Sequence, residues 1–470
     1  MTLDYEACHR ALAAHDSRFD GLFFVAVKTT GIYCRPVCTV KPPKRENCTF
    51  YENAAMAESA GYRPCLKCRP ELAPGRSIID SSNTLANYAL RRLERGEESV
   101  ATIAQKLNIT PRHLHRVVHA AIGVSPVEFL QTSRLLHAKR LLADTAMPIG
   151  EVAMASGFGS LRRFNDAFRQ HYRLTPGKMR RKRVSEADIL TFTLGYRPPY
   201  DWESLIGFLA PRAIKGVEHV ADGVYRRTWR HRKHSGWFAV RNLPEKKSVE
   251  VSVSASLACC VPALISVIRN LCDLNAEPDV IAQTLGPLAS CSPGLRVPGC
   301  ADGFEMAIRA ILGQQVSVTG ASTLAGRFAA KFGEPIETPF PELTTLTPQA
   351  QDIAATSTEE IATIGIPASR ARTIKALAEA VADGLELRPG APPECLASSL
   401  TALPGIGDWT AQYLLMRAAA WPDAFPSGDL GIQKALGLNT PQEIEAASQA
   451  WRPWRSYAAM HLWQSLKEKE

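Results

Sequence analysis

Four cysteines near the start of the chain have the spacing of a metal site. Cys34 and Cys38 are separated by three residues, Cys65 and Cys68 by two, and a 26-residue segment joins the two pairs. Two close pairs of thiolates joined by a loop suit a tetrahedral zinc ion. A structural metal would also help to fold a module of about 75 residues, because so short a segment has little hydrophobic core. Considered alone, the pattern also fits a zinc ribbon whose only role is structural.

A second group of candidate residues lies in the stretch LTALPGIGDWTAQYLLMRAAAWPDAFPSGDLGIQKAL. LPGIG predicts a tight turn between two helices, with Gly405 and Gly407 where a positive φ or close backbone approach is needed. Free N–H groups at the start of the second helix can bind a DNA phosphate. Trp409 and Tyr413 begin that helix, and Asp429 follows Trp409 by twenty residues. As alternatives, the turn is an ordinary one, the aromatic residues belong to the core, and Asp429 is the N-cap of the helix GIQKAL.

Two copies of a helix-turn-helix pattern lie between these groups. In VATIAQKLNITPRHLHRVVHAA, Asn108 suits a left-handed turn, and Thr110 and Pro111 predict the start of a recognition helix. In IGEVAMASGFGSLRRFNDAFRQHY, Gly157 occupies the equivalent turn position and Phe164 is predicted to be core. The pattern predicts a DNA-binding module that places helices in a groove. The candidate groove contacts are Arg112, Arg116, Arg162 and Arg163.

The positive charge of the chain is concentrated in its N-terminal part. The net charge of the 470 residues is +9, to which residues 1–185 contribute +13 and residues 186–470 contribute −4. This surplus indicates nucleic-acid binding by the N-terminal part, whereas the remainder would hold DNA locally, through backbone contacts. No apolar run has the length of a membrane span, and the N-terminus lacks a signal-peptide pattern. We therefore expect a cytoplasmic, nucleoid-associated protein with no membrane partner.

The segments AVKTTGIYCRPVC and RENCTFYENAAMAESAGYRPCLKC contain the four spaced cysteines. They resemble the N-terminal module of the Ada DNA-alkylation response proteins. The resemblance implies that Cys34 accepts a methyl group from a methylated DNA phosphotriester and that the four cysteines bind zinc, with Cys48 outside the set. Zinc keeps the acceptor sulfur deprotonated and nucleophilic at neutral pH. The candidate contacts to the DNA backbone are Thr30, Arg63 and Lys67.

The doubled helix-turn-helix pattern has GF before the second recognition helix and LTP near its end. In these features it resembles the AraC-type DNA-binding domain. The resemblance implies sequence-specific binding to a promoter operator, with RNA polymerase as a further partner. The basic run 180–183 closes the segment, and it is either a solvated linker or a phosphate contact.

The segments YRPPYDW, GFLAPRAI and WRPWRSYAAMHLWQSL accompany the hairpin in the C-terminal part. Together they resemble the AlkA-type 3-methyladenine DNA glycosylases of the helix-hairpin-helix superfamily, over residues 188–466. The implied roles are backbone contacts from Gly405 and Gly407, a catalytic carboxylate from Asp429, and a base pocket of Trp409, Tyr413 and Trp463. Alternating apolar positions in WFAVRNL and VEVSVSASL predict an antiparallel sheet, to which we assign no chemistry.

The resemblance also implies a reaction. A base such as 3-methyladenine is cationic, so the enzyme extrudes it, stacks it on aromatic faces and stabilises oxocarbenium charge with a carboxylate. Relatives that also cut the strand carry a lysine where this chain has Trp409, so we expect a monofunctional glycosylase. No cysteine follows Cys395, so the iron–sulfur cluster of some relatives is not expected. Two departures from the family are Gln315, preceded by Gln314 at the place of an apolar wedge, and the acidic Asp408 in the hairpin.

These observations predict a multidomain, mainly α chain that contains zinc and repairs alkylated double-stranded DNA while regulating transcription. The predicted parts are a zinc-bound α+β module (1–75), an AraC-type double helix-turn-helix domain (82–183), an antiparallel-sheet α+β domain (188–295) and an all-α helix-hairpin-helix glycosylase domain (296–470). The predicted features of the DNA are alkylated bases, methylphosphotriesters and a promoter operator. One rival is a transcription regulator whose glycosylase-like domain is inactive. Another is a glycosylase that its N-terminal half merely anchors to DNA.

Overall fold

The computed structural model describes residues 4–75, 84–95, 98–145, 147–180 and 189–467, which include most of every predicted part. The chain forms two compact units. The first contains Met1–Pro198, Leu243–Ser266 and Leu274–Glu277, and the second contains Pro199–Asn242, Val267–Asp273 and Pro278–Glu470. Residues 188–295, predicted to be one domain, contribute to both units, and the predicted domain boundaries stay predictions. Of the basic run 180–183, only the first residue lies within the described residues.

The secondary structure is mainly helical, as predicted. The helices up to residue 271 are α1 (Tyr5–Ala13), α2 (Ala54–Ser59), α3 (Thr84–Arg95), α4 (Val100–Lys106), α5 (Pro111–Ile122), α6 (Pro126–Asp144), α7 (Ile149–Ala155), α8 (Leu161–Tyr172), α9 (Pro176–Met179), α10 (Trp202–Leu209) and α11 (Val261–Leu271). The later helices are α12 (Pro278–Leu285), α13 (Gly303–Leu312), α14 (Val318–Phe332), α15 (Ala350–Ala355), α16 (Thr358–Ala362), α17 (Ala368–Ala382), α18 (Pro393–Thr401), α19 (Asp408–Arg417), α20 (Leu430–Leu436), α21 (Pro441–Ser448) and α22 (Arg455–Lys467). The described helices include none that is long and apolar enough to cross a membrane.

The described strands fall in three regions of the sequence. They are β1 (Phe24–Val27), β2 (Ile32–Cys34), β3 (Cys48–Tyr51), β4 (Arg63–Pro64), β5 (Ile189–Gly195), β6 (Glu218–Ala221), β7 (Val224–His231), β8 (His234–Leu243), β9 (Ser248–Ser254), β10 (Glu334–Pro335) and β11 (Thr345–Leu346). Short 3₁₀ helices cover Ser17–Phe19, Arg45–Asn47, Pro70–Leu72, Ala210–Arg212, Pro244–Lys246, Ala255–Cys260, Gly286–Ala289 and Gln449–Trp451.

The cysteine module of the first unit is built on a four-stranded sheet in the order β3-β1-β2-β4. Strand β1 is antiparallel to β2 and β3, whereas β2 is parallel to β4, with Tyr33 opposite Pro64. Parallel neighbours end at the same edge of a sheet. The pairing therefore brings Cys34, at the end of β2, to the edge where Cys65 follows β4.

The predicted helix-turn-helix pairs are confirmed in the first unit. Helices α4 and α5 are joined by a turn in which Asn108 has a φ of 52°, and the Thr110 side chain caps α5. Helices α7 and α8 are joined by a turn in which Gly157 has a φ of 83°. The apolar face of α8 is buried through Phe164 and Phe168. The same local signals thus produce both pairs, because each turn needs a residue that accepts positive φ.

The predicted apolar alternation produces antiparallel strands. In the first unit, β5 pairs with β9, and the buried residues Phe192 and Val251 lie opposite each other. In the second unit, β6 pairs with β7 and β7 with β8, in antiparallel register from Val224 opposite Arg241 to His231 opposite His234. A period of two places alternate side chains on one covered face.

The hairpin of the second unit depends on a close approach between two helices. Helices α18 and α19 are joined by residues 402–407, and Gly405 has a φ of 82°. A Cβ atom at Gly405 would lie 2.1 Å from Oγ1 of Thr373 on α17. A side chain at Gly407 would meet no atom within 4 Å. Only the first glycine is therefore required for packing.

We predict that Gly405→Ala lowers the free energy of unfolding of the second unit by about 1–3 kcal/mol, because the residue combines positive φ with a steric clash. Gly407→Ala is the matched control, since its backbone conformation and surroundings accept a methyl group. Denaturant unfolding of both variants tests the difference. Equal stability of the two variants would contradict the packing argument.

Candidate functional site

The carboxylate of Asp429 lies at the start of α20 and accepts three N–H groups. Its Oδ1 accepts the backbone N–H of Ile432 at 3.0 Å and Nε1 of Trp463 at 2.9 Å. Its Oδ2 accepts Nε1 of Trp409 at 2.9 Å. Asp429 is therefore an N-cap, as the alternative interpretation proposed, and it is also the common acceptor of two indole groups. The cap and the indoles fix the orientation of the carboxylate.

The predicted aromatic residues converge beside this carboxylate. The rings of Trp409 and Tyr413 stack with centroids 5.3 Å apart and an interplanar angle of 7°. Trp463 is 6.4 Å from Tyr413 and tilted by 55°. Arg417 donates a 2.6 Å hydrogen bond to the hydroxyl of Tyr413. The Arg417 guanidinium is itself held in place, because it also donates to the carbonyl groups of Pro298 and Gly299.

A cavity of about 360 Å³ opens among these side chains. Its lining residues are Phe208, Arg212, Arg309, Ala310, Gly313, Val316, Val318, Ala321, Ser322, Ala325, Trp409, Tyr413, Asp429, Met460, Trp463 and Gln464. Ligand sites are typically concave, mostly apolar and furnished with a few polar groups. The carboxylate is thus one of a few charged groups on an otherwise largely apolar and aromatic wall.

Two lining residues come from the segment GFLAPRAI, in which the sequence predicted no site residue. Phe208 and Arg212 belong to that segment, and the Arg212 guanidinium lies 3.9 Å from the centre of the Phe208 ring. Burial lowers the pKa of Arg212. The GFLAPRAI part of the resemblance was a signal for these residues, but nothing local in it shows that the segment reaches a cavity.

A buried ion-pair network holds this wall in place. Arg309 donates to Oε2 of Glu218 at 2.7 Å and to the carbonyl of Arg212 at 2.5 Å. Arg227 joins Glu218 to Glu305 through contacts of 3.4 Å and 2.6 Å. Burial opposes the charge of Arg309, but the two glutamates outweigh it and raise the pKa of that guanidinium. The main chain at Arg212 is therefore fixed from beneath the cavity.

The hairpin presents its turn to solvent. Gly405, Gly407 and Asp408 are exposed, and α19 begins without a side-chain cap. The first N–H groups of a helix lack partners within the helix and favour an anion. The same rule explains the departure at Asp408, because an acidic residue in the first turn stabilises the helix.

The two glutamines at the predicted wedge differ in their contacts. The Gln314 side chain donates to the carbonyl of Gly405 at 3.0 Å and to Oγ1 of Thr410 at 3.1 Å. Gln315 is exposed and has a φ of 55°. Gln314 therefore joins α13 to the hairpin, and Gln315 is the member of the pair that can reach outward.

The four spaced cysteines form one cluster in the first unit. Their sulfur atoms all lie within 4.8 Å of one another, which fits four ligands around one zinc ion. The backbone N–H groups of Arg35 and Lys67 donate to Sγ of Cys68 and Cys65, each at 3.4 Å. Hydrogen bonding among the thiols lowers the pKa of Cys38 and Cys65 and raises that of Cys34, which reflects how closely the sulfur atoms lie to one another.

The remaining cysteine of this module lies outside the cluster. The thiol of Cys48 donates to the carbonyl of Lys44 at 3.4 Å, and burial raises its pKa. The exclusion of Cys48 from the metal set therefore agrees with the structure.

An ion pair that the sequence did not predict lies beside this module. Glu71 of the cysteine module and Lys139 of α6 are 2.5 Å apart. Burial would raise the pKa of Glu71, but the charges of Lys139 and Arg69 lower it.

The other predicted DNA contacts lie where DNA can reach most of them. The exposed residues are Thr30, Lys67, Arg112, Arg116, Arg162 and Arg163, and Arg63 is half-buried. Lys67 donates to the carbonyl of Thr39 at 3.4 Å, and Thr30 to that of Val27 at 3.3 Å. Their roles in DNA binding stay predictions.

Comparisons with known proteins agree with the order of these sites. Residues 7–71 match the family described as "Metal binding domain of Ada", and residues 88–182 match the family described as "Helix-turn-helix domain". Residues 191–302 match "AlkA N-terminal domain", and residues 308–455 match "HhH-GPD superfamily base excision DNA repair protein". The Ada-type match and the cluster of four sulfur atoms identify zinc as the metal of the site. The helix-turn-helix and base-excision matches identify DNA as the partner.

Two sequence relatives and one solved structure cover large parts of the chain. The chain is 36% identical to the "Probable bifunctional transcriptional activator/DNA repair enzyme AlkA" of Mycobacterium tuberculosis, over 99% of this chain and 97% of that protein. It is 37% identical to "DNA-3-methyladenine glycosylase 2" of Escherichia coli, over 58% of this chain and 96% of that protein. A 3-methyladenine DNA-glycosylase structure from Archaeoglobus fulgidus covers 58% of this chain and 97% of its own, with a TM-score of 0.50 and 20% identity. That last likeness concerns the fold alone.

We predict that Cys65→Ser abolishes stoichiometric zinc binding and unfolds the cysteine module, because three thiolates bind zinc less tightly and the sheet has little core. Metal analysis of the purified chain and hydrogen exchange over residues 4–75 measure the two effects. Cys48→Ser is the matched control and should keep one zinc per chain. Full zinc content in Cys65→Ser would remove Cys65 from the ligand set.

Proposed function

The chain belongs to the family of bifunctional AlkA transcriptional activators and DNA repair enzymes, and we propose that it repairs alkylated DNA at two separate sites. Its C-terminal part is a DNA-3-methyladenine glycosylase of the helix-hairpin-helix superfamily. Its N-terminal part joins a zinc-binding module to a helix-turn-helix DNA-binding domain. The residue roles and lesion classes that follow are the content of the proposal.

Asp429 is proposed to stabilise the positive charge that develops on the sugar when the N-glycosidic bond breaks. The observation that carries this role is the three-donor arrangement around the carboxylate at the cavity wall. All three contacts are donated to Asp429, so the group acts purely as an acceptor. A fixed negative charge in a site that excludes water stabilises an oxocarbenium-like transition state. The base leaves with the electron pair of the broken bond, water then adds to the sugar carbon, and the proton that the water loses passes to solvent.

The aromatic residues are proposed to hold an extruded, cationic purine such as 3-methyladenine. Trp409, Tyr413 and Trp463 line the cavity. Aromatic faces attract cations, and a flipped base gains stacking in place of the stacking it lost. Arg212 lies 3.9 Å from the centre of the Phe208 ring, and Trp409 and Tyr413 each cover one face of the other, so a base would stack on a face that these contacts leave open.

Strand cleavage is not part of the proposed reaction. A glycosylase that also cuts the strand needs an amine to form a Schiff base with the sugar. The described residues that line the cavity include no lysine, and Trp409 stands where such relatives carry one. The product is therefore an intact strand with an abasic site.

The hairpin and the wedge are proposed to hold the DNA during base extrusion. The exposed N–H groups at Gly405 and Gly407 would bind a backbone phosphate. Gln315 would enter the space that the base leaves, and its amide could hydrogen-bond the opposite base, unlike an apolar wedge. Gln314 keeps the two elements in register through its contact with Gly405.

Cys34 is proposed to accept a methyl group from a DNA methylphosphotriester. The sulfur–carbon bond forms as the oxygen–methyl bond breaks, and the phosphodiester oxygen keeps the electron pair. Zinc supplies a thiolate at neutral pH when it is bound. Backbone N–H groups donate to the sulfurs of Cys65 and Cys68. No backbone donor to Cys34 is found within the described residues, and a thiolate with fewer donors is the stronger nucleophile.

The helix-turn-helix domain is proposed to bind a promoter operator and to contact RNA polymerase when it activates transcription. Methylation removes one negative charge from the zinc site. Less repulsion from phosphate should then tighten binding to the operator. The two exposed arginines of each recognition helix would supply groove and backbone contacts.

We predict that Asp429→Asn reduces base release from alkylated duplex DNA by about 10²-fold or more, because the amide carries no charge. The Asn side-chain oxygen can still accept the backbone N–H of Ile432, but its NH₂ group, a donor, then faces the N–H of Trp409, which is also a donor. That lost hydrogen bond should lower the free energy of unfolding by about 1–3 kcal/mol. Single-turnover release of free base at saturating enzyme separates the chemical step from DNA binding.

The matched control is Asp302→Asn. Asp302 is also an N-cap in the second unit, where its Oδ1 accepts the Glu305 N–H at 2.8 Å, but it does not line the cavity. The Asp302→Asn variant should release free base at the same rate as the wild type. Near-equal rates for the wild type and Asp429→Asn would remove Asp429 from the mechanism and favour the rival in which the glycosylase part only binds DNA.

We predict that DNA containing methylphosphotriesters transfers one methyl group per chain, and that peptide mass spectrometry finds it on Cys34. Operator affinity should rise by about tenfold or more after methylation and the gain should shrink at high salt. A methyl group on Cys38 or Cys65 would refute the assignment of the acceptor. Unchanged affinity would refute the switch and leave the acceptor intact.

A further inference from the structure

A lysine of the DNA-binding domain reaches the main chain of the zinc site. Lys139 lies on α6, and its ammonium donates to the carbonyl of Cys65 at 3.2 Å and to Oε2 of Glu71 at 2.5 Å. Only 3% of the Lys139 side chain and 2% of the Glu71 side chain are exposed. The ammonium is thus removed from water in order to contact a residue that ligates the metal.

The loop that follows the last zinc ligand is tied to the same helix. Arg69 donates to both carboxylate oxygens of Asp144 at 2.7 Å each and to Oε1 of Glu71 at 2.9 Å. Arg140 donates to the main-chain carbonyl of Glu71. Arg69 has a φ of 54°, a conformation that L residues rarely adopt. These contacts hold the loop in a backbone conformation that it would not keep alone.

The other arm of the zinc site is also joined to α6. Tyr33 precedes Cys34 on β2, and its hydroxyl donates to Oε1 of Glu58 at 2.9 Å. Thr132 of α6 donates to Oε2 of the same carboxylate at 2.9 Å. Both pairs of zinc ligands are therefore linked to α6. The first pair is linked through Tyr33 and Glu58, and the second through the carbonyl of Cys65.

The charges of this network complement those of the metal site. Four thiolates and one Zn²⁺ ion carry a net charge of −2. Around Glu71, the cations of Arg69, Lys139 and Arg140 outnumber the carboxylates of Glu71 and Asp144 by one. The surplus cation is therefore opposite in sign to the metal site, and groups behind metal ligands commonly fix the orientation of the ligands.

We propose that Lys139 is a positioning residue of the zinc site, supplied by the DNA-binding domain, so that zinc binding and the docking of α6 are thermodynamically linked. Because linkage is reciprocal for binding free energies, zinc stabilises α6 by the same factor by which docked α6 tightens zinc. The proposal depends on zinc binding and not on methyl transfer. Its failure would leave the proposed role of Cys34 untouched, and the converse also holds.

The first test is zinc affinity of the full chain, measured by competition with a chromophoric chelator. We expect Lys139→Met to weaken zinc binding by about 10–100-fold, the usual range for a group behind a ligand. Lys139→Arg keeps a cation that can donate to both oxygens, and it should restore affinity to within about threefold of the wild type. Lys106→Met is the control. Lys106 lies on α4 of the same domain, is exposed, and pairs with Glu98 rather than with the zinc module.

The second test is independent of any substitution at Lys139. Zinc is chelated from the wild-type chain, and hydrogen exchange is followed across α6 and, as an internal reference, across α12. We expect exchange in α6 to accelerate by about tenfold or more, with no change in α12. This test decides the matter if Lys139→Met fails to fold.

Any one of three results would overturn the proposal. The first is a zinc affinity of folded Lys139→Met equal to that of Lys106→Met. The second is exchange in α6 that does not respond to zinc removal. A loss of affinity in Lys139→Met that Lys139→Arg does not recover would also count against it, because packing alone would then explain the loss.

Discussion

A negatively charged reactive group beside DNA is repelled by the phosphates, and each of the two candidate sites is built around such a group. At one site it is the carboxylate of Asp429, and at the other it is a set of four sulfur atoms. Coulomb repulsion between like charges is strongest where water is excluded, which is also where the charge is most useful for chemistry. The surroundings of both groups therefore have to supply positive charge or hydrogen-bond donors while leaving the group able to react.

The two sites meet this requirement differently. Asp429 is compensated by dipoles, because two indole N–H groups and one backbone N–H point at it and leave its full charge in place. The sulfur cluster is compensated by zinc and by the cations around Glu71, which leave a net negative charge. In the proposed reactions a single methyl group would reduce that remaining charge, so only the second site would act as a switch. Asp429 would keep its charge throughout the proposed base release, which suits repeated turnover.

The sequence was sufficient for the residues whose roles depend on short spacings. The cysteine pairs, the turns at Asn108 and Gly157, and the spacing from Trp409 to Asp429 are local signals that the fold reproduces. Phe208 and Arg212 could not be found in this way, because they come from a segment about 200 residues before the carboxylate and depend on tertiary packing. The same reason hid Lys139, since a lysine on a helix normally faces solvent and nothing local marks this one as buried.

The cap and the proposed catalytic carboxylate, which the sequence presented as alternatives for Asp429, are compatible in the structure, because one carboxylate accepts both the backbone N–H of the cap and two indole N–H groups. A carboxylate that caps α20 has its Oδ1 fixed by the backbone of Ile432, and Trp409 and Trp463 then complete its orientation from α19 and α22. Three helices thus determine the position of one charge, which is the precision that transition-state stabilisation needs. A rigid helix start would serve the proposed reaction because it holds the carboxylate in one orientation. An aspartate at this place would be expected even if the cap alone were required, so the two indole donors are what support the proposed catalytic role.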